Sequence, residues 1–339
     1  MSSLIIDIHT HCAVPTKSDP LGVAAALRGT PIGRNVATNF RGLPAVGYYE
    51  LTDFELQQEV SRKAGVTQRL MSNPFAAEVL TQVSQKPAID CVKYTNDEVA
   101  AVVDRGKETV WGCGTVNPLD KTMLAEAERC MGPLGCKGML ITTSWHGRYL
   151  DGEDAYWFWE YAQDKQVPIF LHPVRVPIGH DQQMDQYKLD ELVGRPFDTA
   201  MCLARMILSG LFDRFPRLKI VVAHMGGGLL PVMGRLNFGY RLGSDGMPDR
   251  AKIKCERLPS DYLRDHLHVD TMGIWGPHLK EAVEVFGPER VMFGTDYGPV
   301  PIDPSEHVDL VRELDLSDAD KEKIFWRNAD AFFGLGIAA

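Results

Sequence analysis

The sequence predicts an α/β protein of the (β/α)8, or TIM barrel, type. Short runs rich in β-branched residues alternate with longer amphipathic segments, the pattern of repeated βα units and a parallel sheet. Eight such runs are present, at residues 4–9, 66–72, 109–116, 137–142, 167–172, 219–224, 267–271 and 290–295. Ionisable residues collect where these runs end: His9, His172 and His224 close three of them, and Asp296 follows the last. The C-terminal ends of barrel strands are where enzymes of this architecture build their sites.

The first run, LIIDIH, continues into Thr10 and His11, and residues two apart on a strand point to the same side, so His9 and His11 can both face the barrel axis. About fifty residues then separate His11 from the second run. A connection this long is usually functional or a small subdomain, so residues 12–65 are read as an insertion forming a lid over the barrel mouth. Its Arg28, Arg34 and Arg41 are candidates to meet an anionic substrate, with solvated loop charges as the alternative. Helical periodicity predicts helices over 52–64, 121–131, 154–165, 199–212, 277–286 and 305–313, and one over 319–333 to close the chain. With no internal repeat or low-complexity tract, residues 1–339 read as one barrel domain.

Composition narrows the function. Apolar residues make up 45% and charged residues 24% of the chain, ordinary for a globular protein with a sizeable core. A net charge of -9 with no run of Lys or Arg gives no electrostatic reason to approach nucleic acid or an anionic membrane. No apolar stretch approaches the ~20 residues of a membrane helix. The seven cysteines, Cys12, Cys91, Cys113, Cys130, Cys136, Cys202 and Cys255, are scattered singly without a CxxC pair and read as reduced thiols. The N-terminus enters a strand with no basic n-region, so a cytoplasmic enzyme of small molecules is expected.

Three imidazoles and a carboxylate form a divalent-metal ligand set, and a further histidine beside them can move protons. An HxH pair alone is weak evidence, because two buried histidines with backbone partners would look the same. The other three strand ends change that reading, and His9, His11, His172, His224 and Asp296 are expected to converge. The residues alone do not say which histidine is off the metal. Metal binding would lower the pKa of a bound water, while His224 takes a proton or delivers one to substrate carbon. Asp296 is read in two parts, as metal ligand and as a catalytic carboxylate orienting the water. Histidine and aspartate ligands suit one Zn²⁺, with Mn²⁺ as the alternative.

The motifs IDIHTH, LHP, AHMGGGLLPVMGR, FGTDYG and the terminal WRNADAFFGL together resemble the amidohydrolase superfamily, and within it the subgroup typified by aminocarboxymuconate-semialdehyde decarboxylase. The resemblance covers nearly the whole chain. It implies that His9, His11, His172 and Asp296 hold a single metal and that His224 is catalytic. Binuclear hydrolases of the superfamily carry a carbamylated lysine at the C-terminal end of strand four. Here GMLITTSWHG has none, and Lys137 lies at the other end, which favours one metal.

Resemblance also assigns Arg235 to the substrate carboxylate, supplied across a homodimer interface. Arg241 and Arg175 are further candidates for this guanidinium clamp, with surface ion pairs as their alternative. Trp145, His146 and Tyr297 could stack on or hydrogen-bond an unsaturated substrate, or simply cap the barrel. His180, His266, His268, His278 and His307 fall outside the pattern and are read as structural or surface groups. Gly226, Gly227 and Gly228 read as a tight turn from His224 into the next helix, with a phosphate site as the alternative, which no lysine or serine pattern of a P-loop supports.

The expected function is non-oxidative decarboxylation of a carboxylated aromatic or of an unsaturated semialdehyde acid. The competing reading is a single-metal hydrolase, a lactonase or amidohydrolase using a metal-activated water, and a hydratase is a third. Substrate identity is not legible: the insertion, Asn73-Pro74-Phe75 and Trp145-His146 match no family residue.

Overall fold

The computed structural model describes residues 4–11, 53–73, 81, 86–174, 177–179, 183–184, 186–300 and 302–337. Arg28, Arg34, Arg41, Arg175, His180, Cys12 and residues 12–52 of the expected lid lie outside them.

Eight strands succeed one another around the molecule: β1 (Ile6–His11), β2 (Gln68–Ser72), β3 (Val110–Gly114), β4 (Gly138–Thr142), β5 (Ile169–His172), β6 (Ile220–Val222), β7 (Leu267–Asp270) and β8 (Val291–Met292). Each pairs in parallel with its successor. Between the last strand and the first, the Ile8 amide donates to Phe293 O at 3.0 Å, Asp296 N to His9 O at 2.7 Å and His11 N to Tyr297 O at 3.1 Å. These bonds close the sheet, leaving no open edge.

The expected strands all form, with trimmed ends. The 219–224 run stops at Val222, so His224 stands in a turn beyond the strand, while β1 extends past His9 to include His11. Helices α1 (Phe54–Lys63), α2 (Ala88–Arg105), α3 (Leu124–Met131), α4 (Tyr156–Lys165), α5 (Arg195–Leu208), α6 (Leu229–Leu242), α7 (Gly276–Phe286) and α8 (Pro304–Arg312) lie between and after the strands. Residues 53–65 of the insertion are therefore α1 and its turn, begun by Asp53, whose Oδ1 accepts from the Leu56 amide at 2.9 Å.

Helix α2 was not among the expected segments. In α2 the buried stripe includes Thr95 and Asn96, which masks the apolar period. Asn96 is satisfied there by Thr115 N and O and by Glu126. The helix expected after the glycine turn is α6, which forms although Gly234 and Gly239 lower helix propensity. Helix α5 begins at Arg195 rather than 199 and ends at Leu208, because Gly210 at φ 76° breaks it from the short turn Leu211–Arg214. The segment expected to close the chain is helical throughout, over 318–333, with a π-helical stretch at Lys323–Arg327.

All six β1 residues are buried. By alternation Ile6 and Ile8 face the helices, while Asp7, His9 and His11 face the barrel interior. Likewise Phe170 and His172 share a side of β5, and the His9 ring meets Phe170 edge-on at 5.0 Å, giving the site an apolar floor.

Candidate metal centre

The strand ends bring His9, His11, His172, His224 and Asp296 to one small volume at the C-terminal end of the barrel. One ligand atom from each of His9, His172, His224 and Asp296 lies within 4.8 Å of the others. His11 joins them, its Nε2 being 3.1 Å from His9 Nε2 and 3.1 Å from Asp296 Oδ1. Asp296 Oδ1 is also 3.3 Å from His9 Nε2, and Oδ2 is 3.3 Å from His224 Nε2.

The outward nitrogens explain the arrangement. His9 Nδ1 bonds Asp270 Oδ2 at 2.5 Å, His11 Nδ1 bonds Ser72 Oγ at 2.8 Å, and His172 Nδ1 bonds Pro173 O at 2.9 Å. With each Nδ1 engaged, the Nε2 lone pairs converge on the centre, as in metal sites whose ligands are oriented from behind. His172 Nε2 and Asp296 Oδ1 are buried without a hydrogen-bond partner. Converging lone pairs and an orphaned carboxylate oxygen fit a divalent cation, and the chain carries the site for one such metal.

Electrostatics agrees. Burial works against charge on His9, but Asp296 and Asp270 outweigh it and lift its pKa to about 10. Burial pushes His11 down, and it pushes His172 well down, with His11 and His9 adding to the effect. Burial alone would raise Asp296, yet the His9 charge and the close imidazoles of His11, His224 and His9 hold it well below the usual carboxylate range. The site is thus a carboxylate that demands a nearby positive charge, and a proton on His9 competes with a metal for the same lone pair.

The backbone is bent to aim these groups. His224 (φ 59°), Met225 (φ 54°) and Asp296 (φ 56°) are left-handed without being glycine, a strain that persists only where surroundings enforce it. Asp270 supplies part of that enforcement, since its Oδ1 accepts from Met225 N at 3.1 Å while Oδ2 holds His9. In the turn that follows, a Cβ on Gly227 (φ 61°) would sit 2.7 Å from Pro196 O. Asp7, beneath His9, accepts from Thr295 Oγ1 at 2.6 Å and so ties β1 to the end of β8. Sequence reasoning missed both Asp270 and Asp7; for Asp270 the signal was available, a carboxylate closing the strand run LHVD.

At the C-terminal end of β4 stand Thr142, Thr143 and Ser144, with Lys137 at the other end, so no bridging lysine reaches the metal volume. Just beyond, Trp145 is buried in a small hairpin (Ser144–Trp145 with Arg148–Tyr149), its ring 5.9 Å from that of His146. Tyr297 is buried and its backbone helps close the barrel. Arg235 and Arg241 are exposed on α6, Arg235 over the Phe238 ring at 5.5 Å, and neither makes an ion pair among the described residues. Of the remaining histidines, His266 bonds Leu218 O at 2.7 Å and stacks on Phe212, and His307 is buried on α8.

A family profile of amidohydrolases matches residues 6–335. The chain belongs to the amidohydrolase family. It is 31% identical over 253 residues to a 2-amino-3-carboxymuconate-6-semialdehyde decarboxylase of Dictyostelium discoideum, covering 73% of this chain and 67% of that protein. Among solved structures, a 5-carboxyvanillate decarboxylase of Sphingomonas paucimobilis superposes with a TM-score of 0.79 at 26% identity, covering 98% of this amidohydrolase and 99% of that chain. A dihydroxybenzoic acid decarboxylase of Polaromonas sp., solved with manganese and 2-nitroresorcinol, gives a TM-score of 0.75 at 26% identity over 98% and 97% of the two chains. This amidohydrolase is an enzyme of the same kind, a metal-dependent carboxy-lyase. No described helix is long and apolar enough to cross a membrane.

Proposed function

We propose that this amidohydrolase removes CO2, without an oxidant, from a small carboxylated phenolic ring, with an unsaturated semialdehyde acid as the next substrate to test. The observation that carries the reading is the convergence of His9, His11, His172, His224 and Asp296 in a chain related throughout to decarboxylases. We assign His9, His11, His172 and Asp296 to the metal. We assign His224 as the proton carrier: it lies nearest Oδ2 of Asp296, while His9 and His11 lie against Oδ1. Zn²⁺ suits this donor set, and the manganese in the Polaromonas structure makes Mn²⁺ the alternative.

When bound, the cation would supply Lewis acidity and a fixed positive charge beside the substrate oxygens. Decarboxylation breaks one C–C bond, releases CO2 and leaves an electron pair on carbon that a proton must capture. His224 delivers that proton, and Asp296, with Oδ2 at 3.3 Å from His224 Nε2, orients the imidazole and balances its charge. Phe170, edge-on to His9, floors the pocket and limits water beneath the reacting carbon, and we propose that Trp145 lines the substrate's other side. Arg235, exposed on α6, would clamp the substrate carboxylate of a second copy in a homodimer, with Arg241 and Arg175 as further clamps. We further propose that residues 1–339 act as one cytoplasmic barrel domain, with the part of the insertion that precedes α1 lidding its mouth.

The deciding experiment incubates the metal-loaded enzyme with hydroxybenzoates, carboxyvanillate, a carboxymuconate semialdehyde and lactones, recording CO2 release and ring opening in parallel. Gas evolution from an aromatic acid is the expected result. Ring opening of a lactone without gas would instead make the chain a hydrolase, and metal analysis of the active protein distinguishes Zn²⁺ from Mn²⁺.

A further inference from the structure

A buried carboxylate that the chemistry above does not use stands behind the β5 ligand. Asp198, in the first turn of α5, is only 4% exposed and meets three donors among the described residues. Thr143 Oγ1 donates to its Oδ2 at 2.5 Å, Tyr149 Oη donates to its Oδ1 at 2.8 Å, and the Ile178 amide reaches Oδ1 at 3.4 Å. An ionised carboxylate, which only accepts, is the side chain such a ring of donors demands. Burial raises the Asp198 pKa, and these three bonds act against the rise.

Thr143 passes this constraint to the metal volume. It follows the last residue of β4 and is fully buried. With its hydroxyl proton committed to Asp198, Oγ1 is left to accept, and it takes the Val174 amide at 3.1 Å. The Thr143 amide donates to His172 O at 2.9 Å. The chain is thus gripped on both sides of Pro173, which has no amide hydrogen of its own to secure the turn. The Pro173 carbonyl in turn accepts from His172 Nδ1 at 2.9 Å. That bond selects the tautomer whose buried Nε2 lone pair faces the centre without a hydrogen-bond partner.

We propose that Asp198 and Thr143 are positioning residues for the metal ligand His172. The carboxylate fixes the Thr143 hydroxyl, the hydroxyl fixes the Val174 amide, and the held turn fixes the carbonyl that orients the imidazole. The proposal rests on the assignment of His172 to the metal. Through Tyr149 the same carboxylate holds the hairpin that carries Trp145, so the ligand and the hairpin beyond β4 share one anchor.

The test is the Zn²⁺ affinity of the full-length protein, measured by competition with a chromophoric chelator. Thr143→Val removes the hydroxyl at nearly constant shape, and Asp198→Asn turns an amide donor toward hydroxyl donors; each is expected to weaken Zn²⁺ binding by about tenfold. The double variant should fall no further than the weaker of the two, because both cut one path. Thr143→Ser, which keeps the hydroxyl, should retain parental affinity, a rescue that loosened packing would not give. If Asp198→Asn does not fold, Thr143→Val against Thr143→Ser carries the comparison. Parental affinity in Thr143→Val and Asp198→Asn, with metal lost in His172→Ala, overturns the proposal and leaves His172 a ligand. Parental affinity in His172→Ala as well removes the ligand assignment and the proposal with it, and an equal loss in Thr143→Ser and Thr143→Val also overturns it.

Discussion

Asp270 and His268 stand two residues apart on β7 and face the same interior, but their surroundings differ completely. Asp270, at the C-terminal end, spends both oxygens: one on His9, the other on the Met225 and Met272 amides. His268, toward the N-terminal end, has a buried nitrogen with no partner and lysines as neighbours. One end of the barrel is a closed network in which each polar group is aimed by another, and strained residues are retained because the network enforces them. The other end leaves the His268 Nδ1 atom buried without a partner. The difference teaches that burial by itself does not make a catalytic centre; reciprocal hydrogen bonding does.

The largest effect should come from breaking the aimed end. His224→Ala is expected to lower kcat by about 10²–10⁴-fold while metal content stays constant, measured by turnover alongside metal analysis. Unchanged turnover with metal retained would remove His224 from the proton path. Asp270→Asn should reach the same end from behind. It is expected to weaken metal binding by about 10–100-fold in a chelator competition, since His9 loses the acceptor that fixes its tautomer. Full metal affinity in that variant would mean that the backbone alone orients His9.

A smaller effect should follow at the turn between the two aimed residues and α6. Gly227→Ala places a Cβ against Pro196 O and a side chain at positive φ, so a loss of about 1–3 kcal/mol is expected in denaturant unfolding. The smallest and most specific effect belongs to the other end. His268 has its folded pKa depressed from 6.5 to about 3, so its stabilising contribution is present above pH 6.5 and is lost as pH falls toward 3. Between those values the unfolded chain takes up a proton that the folded chain refuses, steepening acid destabilisation by up to about 1.4 kcal/mol per pH unit. His268→Gln should flatten the unfolding free energy between pH 6.5 and 4.5, and an unchanged slope would show that His268 is charged in the folded protein.

Much of this was legible in the residues. The eight strands were readable because a parallel barrel buries both faces of every strand, which forces compact β-branched runs such as VPIFLH and LKIVVAH. The five ionisable residues were readable because they sit where those runs stop. Helix α2 was not, since Thr95 and Asn96 occupy core positions that only a cross-helix partner such as Glu126 makes tolerable. Asp270 and Asp7 were missed because a carboxylate on a strand reads as surface until its acceptor role toward a distant residue is known: Asp270 answers to His9, 261 positions away, and Asp7 to Thr295, 288 away.

The order of the strands, the barrel class and the ionisable residues that stand at the strand ends were determined by sequence alone, because period, length and residue chemistry are local properties of a chain. Only the tertiary structure decided that His11 and His224 both border the Asp296 carboxylate, that three Nδ1 atoms are held from behind, and that His268 is left without a partner. Those facts depend on atoms brought within about 3 Å by closure of the β8–β1 seam, and no local pattern encodes a distance between residues hundreds of positions apart.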